Sequence, residues 1–276
     1  MTSPLISATE LRDLLGTPDL KVLDASWHLD GTDARAAHRR GHIPGAPFFD
    51  LDAVSDQATD LPHMLPPVPQ FAADMGRLGL RESDEIVVYD TVGLFSAPRA
   101  WWMLRTFGAM RARVLDGGLP AWVAAGGAVE AGEVSPAPAT FRAVPDATRV
   151  VDLGQVSAAL AAGTPVLDAR GAPRFRGEAP EPRPGLRGGH MPGAVNLPFS
   201  ELLTSDGRLR PREELAPRLA TAAPDGAGLP IATCGSGVTA AILVLALEVL
   251  GRKARLYDGS WAEWGTRPGT PIVAGP

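Results

Sequence analysis

Four landmarks in the first half of this 276-residue chain return in the second half at nearly constant distance. Val22-Leu23-Asp24-Ala25 comes back as Val166-Leu167-Asp168-Ala169, and Gly41-His42-Ile43-Pro44-Gly45-Ala46 as Gly189-His190-Met191-Pro192-Gly193-Ala194. The buried run ending at Asp90 comes back as Ile231-Ala232-Thr233-Cys234, and Leu115-Asp116-Gly117 with Trp122 as Tyr257-Asp258-Gly259 with Trp264. Asp24 to Asp168 is 144 residues, His42 to His190 is 148, Asp90 to Cys234 is 144 and Trp122 to Trp264 is 142. Such an offset marks an internal duplication. In each copy short Val/Ile/Leu runs alternate with helical stretches, which predicts an α/β fold with a mainly parallel central sheet flanked by helices. The domains fall at residues 1–125 and 150–276. The stretch 126–149 has no sustained period and carries Gly126, Gly127, Gly132, Pro136, Pro138 and Pro145. It reads as an interdomain linker that wraps across both domains.

The duplication is also an internal control. Features present in both copies serve the fold, and features present in one are candidates for function. By that test His42, His190, Asp24 and Asp168 are fold residues. Cys234, the only cysteine, stands apart: its counterpart Asp90 cannot act as a sulfur nucleophile. The first domain is therefore expected to be catalytically silent. Cys234 ends a buried strand, where open α/β sheets place their chemistry. The small residues Gly235, Ser236 and Gly237 follow, allowing backbone N–H groups to turn inward as an anion nest. The apolar helix beginning near Ala240 then directs its positive end at the sulfur. These features favour thiolate over thiol. The alternative, a buried structural cysteine, fits poorly between a strand end and a Gly-x-Gly loop.

Composition narrows the function classes. A net charge of −5 with no basic run argues against nucleic acid or an acidic membrane as partner. A single cysteine rules out an internal disulfide or a multi-thiolate metal site. The start, Met1-Thr2-Ser3-Pro4-Leu5-Ile6-Ser7, lacks the pattern of a secretory signal. The apolar run Ala240 to Val249 is too short to span a bilayer. A cytoplasmic monomer is expected.

Two further stretches occur in one copy only. Arg174-Phe175-Arg176-Gly177-Glu178-Ala179-Pro180-Glu181-Pro182-Arg183 leaves the strand end beside the expected cysteine loop, and its arginines suit a carboxylate. Leu61-Pro62-His63-Met64-Leu65-Pro66 sets a histidine between prolines in the first domain, where Asp50 and Asp52 also lie. A site in a cleft between domains would let these residues face Cys234.

With these motifs the whole chain, from Leu23 to Trp264, resembles the two-domain rhodanese-like sulfurtransferases. The carrying stretches are Leu23-Asp24-Ala25-Ser26-Trp27, His42-Ile43-Pro44-Gly45-Ala46, Asp60-Leu61-Pro62-His63-Met64-Leu65-Pro66, Ser96-Ala97-Pro98-Arg99, Arg174-Phe175-Arg176-Gly177, Cys234-Gly235-Ser236-Gly237-Val238-Thr239 and Tyr257-Asp258-Gly259-Ser260-Trp261. The resemblance implies that Cys234 carries sulfur as a covalent persulfide and that no cofactor or metal is required. It implies that the N–H groups of Gly235, Ser236, Gly237, Val238 and Thr239 cradle that sulfur, Thr239 also supporting the loop. It implies that Arg174 and Arg183 hold the substrate carboxylate and carbonyl. Ser236, His63 and Asp52 would form a hydrogen-bonded relay, with Asp50 as the alternative third member. The acceptor would be thioredoxin, a small thiol or cyanide. Phe95 stands where the family often has tyrosine, and Ala241 where some members carry a second cysteine.

The loop also bears on the donor. Thiosulfate is a dianion charged next to the attacked sulfur, and the relatives that prefer it usually place a basic residue in this loop. The neutral Gly235-Ser236-Gly237 favours 3-mercaptopyruvate, whose charge lies at a distant carboxylate, with thiosulfate as the alternative donor. A cysteine phosphatase would need an arginine six residues after Cys234, where Ala240 stands. A non-enzymatic binding module would not need Cys234, Arg174, Arg183 and Ser236 together.

Overall fold

The computed structural model describes residues 3–276. The chain forms two units. Unit 1 runs to Gln57, resumes over Leu65–Asp146 and takes in Ser205–Leu209; unit 2 comprises Ala58–Met64, Ala147–Thr204 and Arg210–Pro276.

Unit 1 is built on four parallel strands, β1 (Leu5–Ile6), β2 (Leu20–Asp24), β3 (Glu85–Tyr89) and β4 (Arg113–Leu115), in the order β1-β4-β3-β2. Unit 2 has five, β5 (Val150–Val151), β6 (Val166–Asp168), β7 (Val195–Asn196), β8 (Ile231–Thr233) and β9 (Arg255–Tyr257), all parallel, in the order β5-β9-β8-β6-β7. The fifth strand has its counterpart in unit 1, where Phe48 makes a parallel bridge to Asp24. Ile86–Tyr89 and Ile231–Thr233 are fully buried, as strands covered on both faces must be. Behind them lie equivalent helices, Ala97–Thr106 and Ala240–Val249. The second is apolar and buried from Ala240 to Leu247, with Glu248 the one charged residue, in its last turn. Among the described residues no helix is long and apolar enough to cross a membrane.

The shared histidines do the same structural work in each unit. His42 Nδ1 meets the His38 carbonyl at 2.8 Å and its ring stacks on His38. His190 Nδ1 meets the Phe175 carbonyl at 2.9 Å and its ring stacks on Phe175. The backbone of each forms an antiparallel bridge to a later segment, His42 with Glu130 and His190 with Val273. These buried polar groups are thus satisfied by segments on either side of the turn, as burial demands.

The stretch 126–149 differs from expectation. It does not wrap across both domains but lies with unit 1 as far as Asp146. Phe141 is buried edge-on against Phe71, and the backbone of Ala139, Val144 and Asp146 donates to Gly76, Phe107 and Thr106. One buried aromatic and three backbone bonds fix a segment whose composition alone suggested a free linker. The domain boundaries are also interrupted: Ala58–Met64, with His63, is part of unit 2, and Ser205–Leu209 is part of unit 1.

Candidate active site

Cys234 follows β8, a central strand of unit 2, at its carboxyl end, with 2% of its surface exposed. The start of the short helix Ser260–Trp264 fixes the turn that follows. Trp261 N–H donates to the Cys234 carbonyl at 2.9 Å and Ala262 N–H to that of Gly235 at 2.8 Å, while Ser260 Oγ accepts from Cys234 N–H at 3.3 Å. The carbonyls are thereby tied to one side. Among the described residues the amides of Gly235, Ser236, Gly237, Val238 and Thr239 find no hydrogen-bond acceptor. A run of such donors at the head of a ten-residue helix is an anion site.

Unit 1 shows what the same turn does when its anion is part of the chain. Asp90 follows β3 as Cys234 follows β8. Its carboxylate accepts four backbone N–H groups, from Val92 at 3.1 Å, Phe95 at 2.9 Å, Ser96 at 3.0 Å and Ala97 at 2.9 Å. Burial pushes the Asp90 carboxyl upward, against the pull of these amides. In unit 1 the turn thus presents four amides to an acidic side chain; the turn after Cys234 is one residue shorter before its helix begins. Asp90 occupies the position after β3 that Cys234 occupies after β8.

Ser236 lies two residues beyond Cys234, and its Oγ shares a hydrogen bond with His63 Nδ1 at 3.0 Å. Both side chains are buried. His63 has φ of 61°, a left-handed conformation that costs a histidine of order 1–3 kcal/mol and clusters at functional sites. The two residues are 173 apart in sequence, yet both belong to unit 2. Asp52 belongs to unit 1, where its Oδ2 accepts from Trp27 Nε1 at 3.2 Å. Asp50 is committed on both oxygens: Oδ1 caps the helix Leu51–Val54 by accepting from Ala53 N–H at 3.1 Å, and Oδ2 pairs with Arg35 at 2.9 Å. That leaves Asp50 a fold residue.

Arg174 lies in the last turn of the short helix Ala172–Phe175, which has Pro173 near its start and the left-handed Gly177 beyond its end. Its Nη2 donates to Glu181 Oε2 in a short charge-assisted bond, and its buried Nε has no partner. A Cβ placed on Gly235 would stand 3.0 Å from Arg174 Nη2, so the guanidinium lies directly against the cysteine loop. Gly235→Ala is accordingly expected to push Arg174 aside. Steady-state kinetics should then show a KM for an anionic sulfur donor raised about tenfold, with a smaller change in kcat. Arg183, two residues after Glu181, is half-buried in the same loop. Thr239 precedes the first turn of the helix Ala240–Val249 without capping it through its side chain.

The structure adds two residues. Arg170 is fully enclosed, its Nη2 bonded to Asp168 at 2.7 Å and its Nη1 to Glu181 at 2.8 Å, with its guanidinium over the Trp261 ring at 4.2 Å. Burial works against the Arg170 charge, but Asp168 and Glu181 outweigh it and hold the guanidinium protonated. Glu181 thus bridges Arg170 and Arg174. Arg170 was findable from the repeat, since Asp24 in unit 1 is followed by Ser26, which bonds it at 2.6 Å, where Asp168 is followed by Arg170. Glu181 had no such signal, because its loop has no counterpart.

Two parallel α/β units, one with a buried cysteine after a central strand and the other with an aspartate in the corresponding place, define a duplicated domain. Comparison with known proteins agrees. The family model described as the rhodanese-like domain matches residues 7–125 and again 152–267. A protein of Escherichia coli K12 named 3-mercaptopyruvate sulfurtransferase is 42% identical over 98% of both chains. An Arabidopsis thaliana protein named thiosulfate/3-mercaptopyruvate sulfurtransferase 1, mitochondrial, is 40% identical over 98% of this chain and 78% of its own. The crystal structure of SseA from Escherichia coli, described as a 3-mercaptopyruvate sulfotransferase of rhodanese fold, superposes with a TM-score of 0.86 at 39% identity, covering 94% of this chain and 99% of its own. The chain belongs to the rhodanese-like family and carries two of its domains.

Proposed function

We propose that the protein is a sulfurtransferase that moves sulfur from 3-mercaptopyruvate to a thiol acceptor or cyanide through a persulfide on Cys234, releasing pyruvate. The observation that carries this reading is the amide-lined turn of Gly235–Thr239 beside Arg174, which pairs a cradle for an anionic sulfur with a cation for a more distant carboxylate. The names of the similar proteins point the same way.

In the first half-reaction the Cys234 thiolate attacks the donor's sulfur. The new S–S bond forms as the C–S bond breaks, and its electron pair passes to the methylene carbon as the enolate of pyruvate. Arg174 and Arg183 hold the carboxylate and carbonyl, so the enolate oxygen forms next to fixed positive charge. The enolate carbon takes the proton that was on the donor thiol, passed through Ser236 and His63, and Asp52 is the residue we assign as third member of that relay. The outer sulfur is left anionic in the amide turn. In the second half-reaction an acceptor thiolate attacks the outer sulfur and frees Cys234, a double displacement.

His63→Ala separates the steps. Loading from 3-mercaptopyruvate, which needs the proton, is expected to slow by about 10²-fold or more, while transfer from enzyme loaded beforehand changes little. Equal losses in both half-reactions, followed in single-turnover experiments, would make His63 a structural residue only. The Arabidopsis relative, whose name carries both donors, keeps thiosulfate as the second reading; a higher kcat/KM for thiosulfate than for 3-mercaptopyruvate would favour it. We further infer a monomer acting in the cytoplasm with thioredoxin or a small thiol as acceptor, on the strength of the acidic surface balance and the sulfur chemistry.

A further inference from the structure

Glu181 is the most deeply buried carboxylate beside the proposed substrate arginines, and the mechanism above gives it no step. Its side chain is 1% exposed, and each oxygen is taken by a different guanidinium, Oε1 by Arg170 and Oε2 by Arg174. Arg170 is in turn paired with Asp168, whose side chain is also 1% exposed. The four side chains form one chain of alternating charge, Asp168–Arg170–Glu181–Arg174, with a formal sum of zero. Only Arg174, at its end, keeps appreciable exposure, 24% of its side chain, and it lies against Gly235.

This arrangement does more than orient Arg174. A guanidinium whose charge is offset by a buried carboxylate still donates hydrogen bonds from its remaining N–H groups, but attracts a second unit of negative charge weakly. We infer that Glu181 is a specificity-determining residue: it sets the charge facing the cysteine turn so that a monoanionic donor, a 2-oxo acid bearing a thiol, is accepted and a dianionic oxosulfur donor is disfavoured. Arg170, itself anchored by Asp168, holds Glu181 in place. The neutral turn Gly235-Ser236-Gly237 adds no countercharge, so the selection falls to Glu181. This inference rests on the sulfurtransferase reading above.

The test is the ratio of kcat/KM for thiosulfate to kcat/KM for 3-mercaptopyruvate in wild type, Glu181→Gln and Glu181→Asp. Glu181→Gln removes the charge and leaves Arg174 uncompensated. One unit of charge acting across several ångströms of partly dry protein corresponds to a rise in that ratio on the order of tenfold or more. Glu181→Asp keeps the charge while shortening the reach, so both donors weaken together and the ratio stays at the wild-type value. Competitive inhibition offers a readout free of turnover. The inhibition constant of sulfate falls in Glu181→Gln relative to that of acetate, and in Glu181→Asp it does not. A ratio that is unchanged in Glu181→Gln, with both donors losing equally, overturns the inference and leaves Glu181 as a positioning residue. A wild-type enzyme that turns over neither donor fails the functional reading itself, which separates the two.

Discussion

Cys234→Ser is expected to abolish sulfur transfer from either donor, lowering kcat/KM by at least about a thousandfold. A serine oxygen cannot form or hold the S–S bond on which both half-reactions turn. A serine hydroxyl is also a far weaker nucleophile than a cysteine sulfur. The fold should survive the change. The Cys234 backbone is held by Ser260 Oγ and Trp261 N–H, neither of which depends on the sulfur. The check is intact-mass spectrometry after incubation with 3-mercaptopyruvate: wild type gains one sulfur atom and the variant gains none. Turnover that persists in Cys234→Ser would remove the persulfide from the mechanism, whatever the family resemblance.

The duplication made most of this legible in the sequence. Parallel sheets bury both strand faces, so runs such as Ile86-Val87-Val88-Tyr89 and Ile231-Ala232-Thr233 announce themselves as strands, and their repetition gives the topology. The same repeat set Cys234 apart as a candidate for chemistry and sorted His42 and His190 into the fold, where their hydrogen bonds place them. What escaped was decided by tertiary partners. Residues 126–149 read as a free linker because Gly and Pro dominate them, whereas burial of the single ring of Phe141 keeps the segment in unit 1. That His63 belongs to unit 2 could not be read from its position in the first half, since a contact across 173 residues leaves no periodic trace. That Asp50 caps a helix and pairs with Arg35, while Asp52 accepts from Trp27, depends on tertiary partners that spacing alone does not give. Glu181 was hidden by its loop, where a glutamate between prolines looks like solvated surface until its two guanidinium partners are seen.

Asp90→Ala carries the other large effect, on stability. Four backbone donors converge on the Asp90 carboxylate, three of them on Oδ2, from Phe95, Ser96 and Ala97, and one on Oδ1, from Val92. Deleting an anionic acceptor strands buried N–H groups at about 1–3 kcal/mol each where water does not replace it, so a total loss of roughly 3–5 kcal/mol is expected. Asp90→Asn keeps the shape and one acceptor, but turns an NH₂ group toward either Val92 or the three donors. About 1–3 kcal/mol should be lost there. Urea unfolding followed by tryptophan fluorescence reads the effect, since Trp101, Trp102 and Trp122 are buried in unit 1 and Trp261 and Trp264 in unit 2. The transition of unit 1 moves to lower urea in the order wild type, Asn, Ala. An Asp90→Ala protein as stable as wild type would show that the amide turn does not need an anion to hold its shape. The physical argument for the cradle at Cys234 would then lose its internal precedent. The ordered loss instead makes the Asp90 carboxylate the anchor of the turn after β3, at the position where unit 2 carries Cys234 and where the proposed mechanism puts an anionic sulfur.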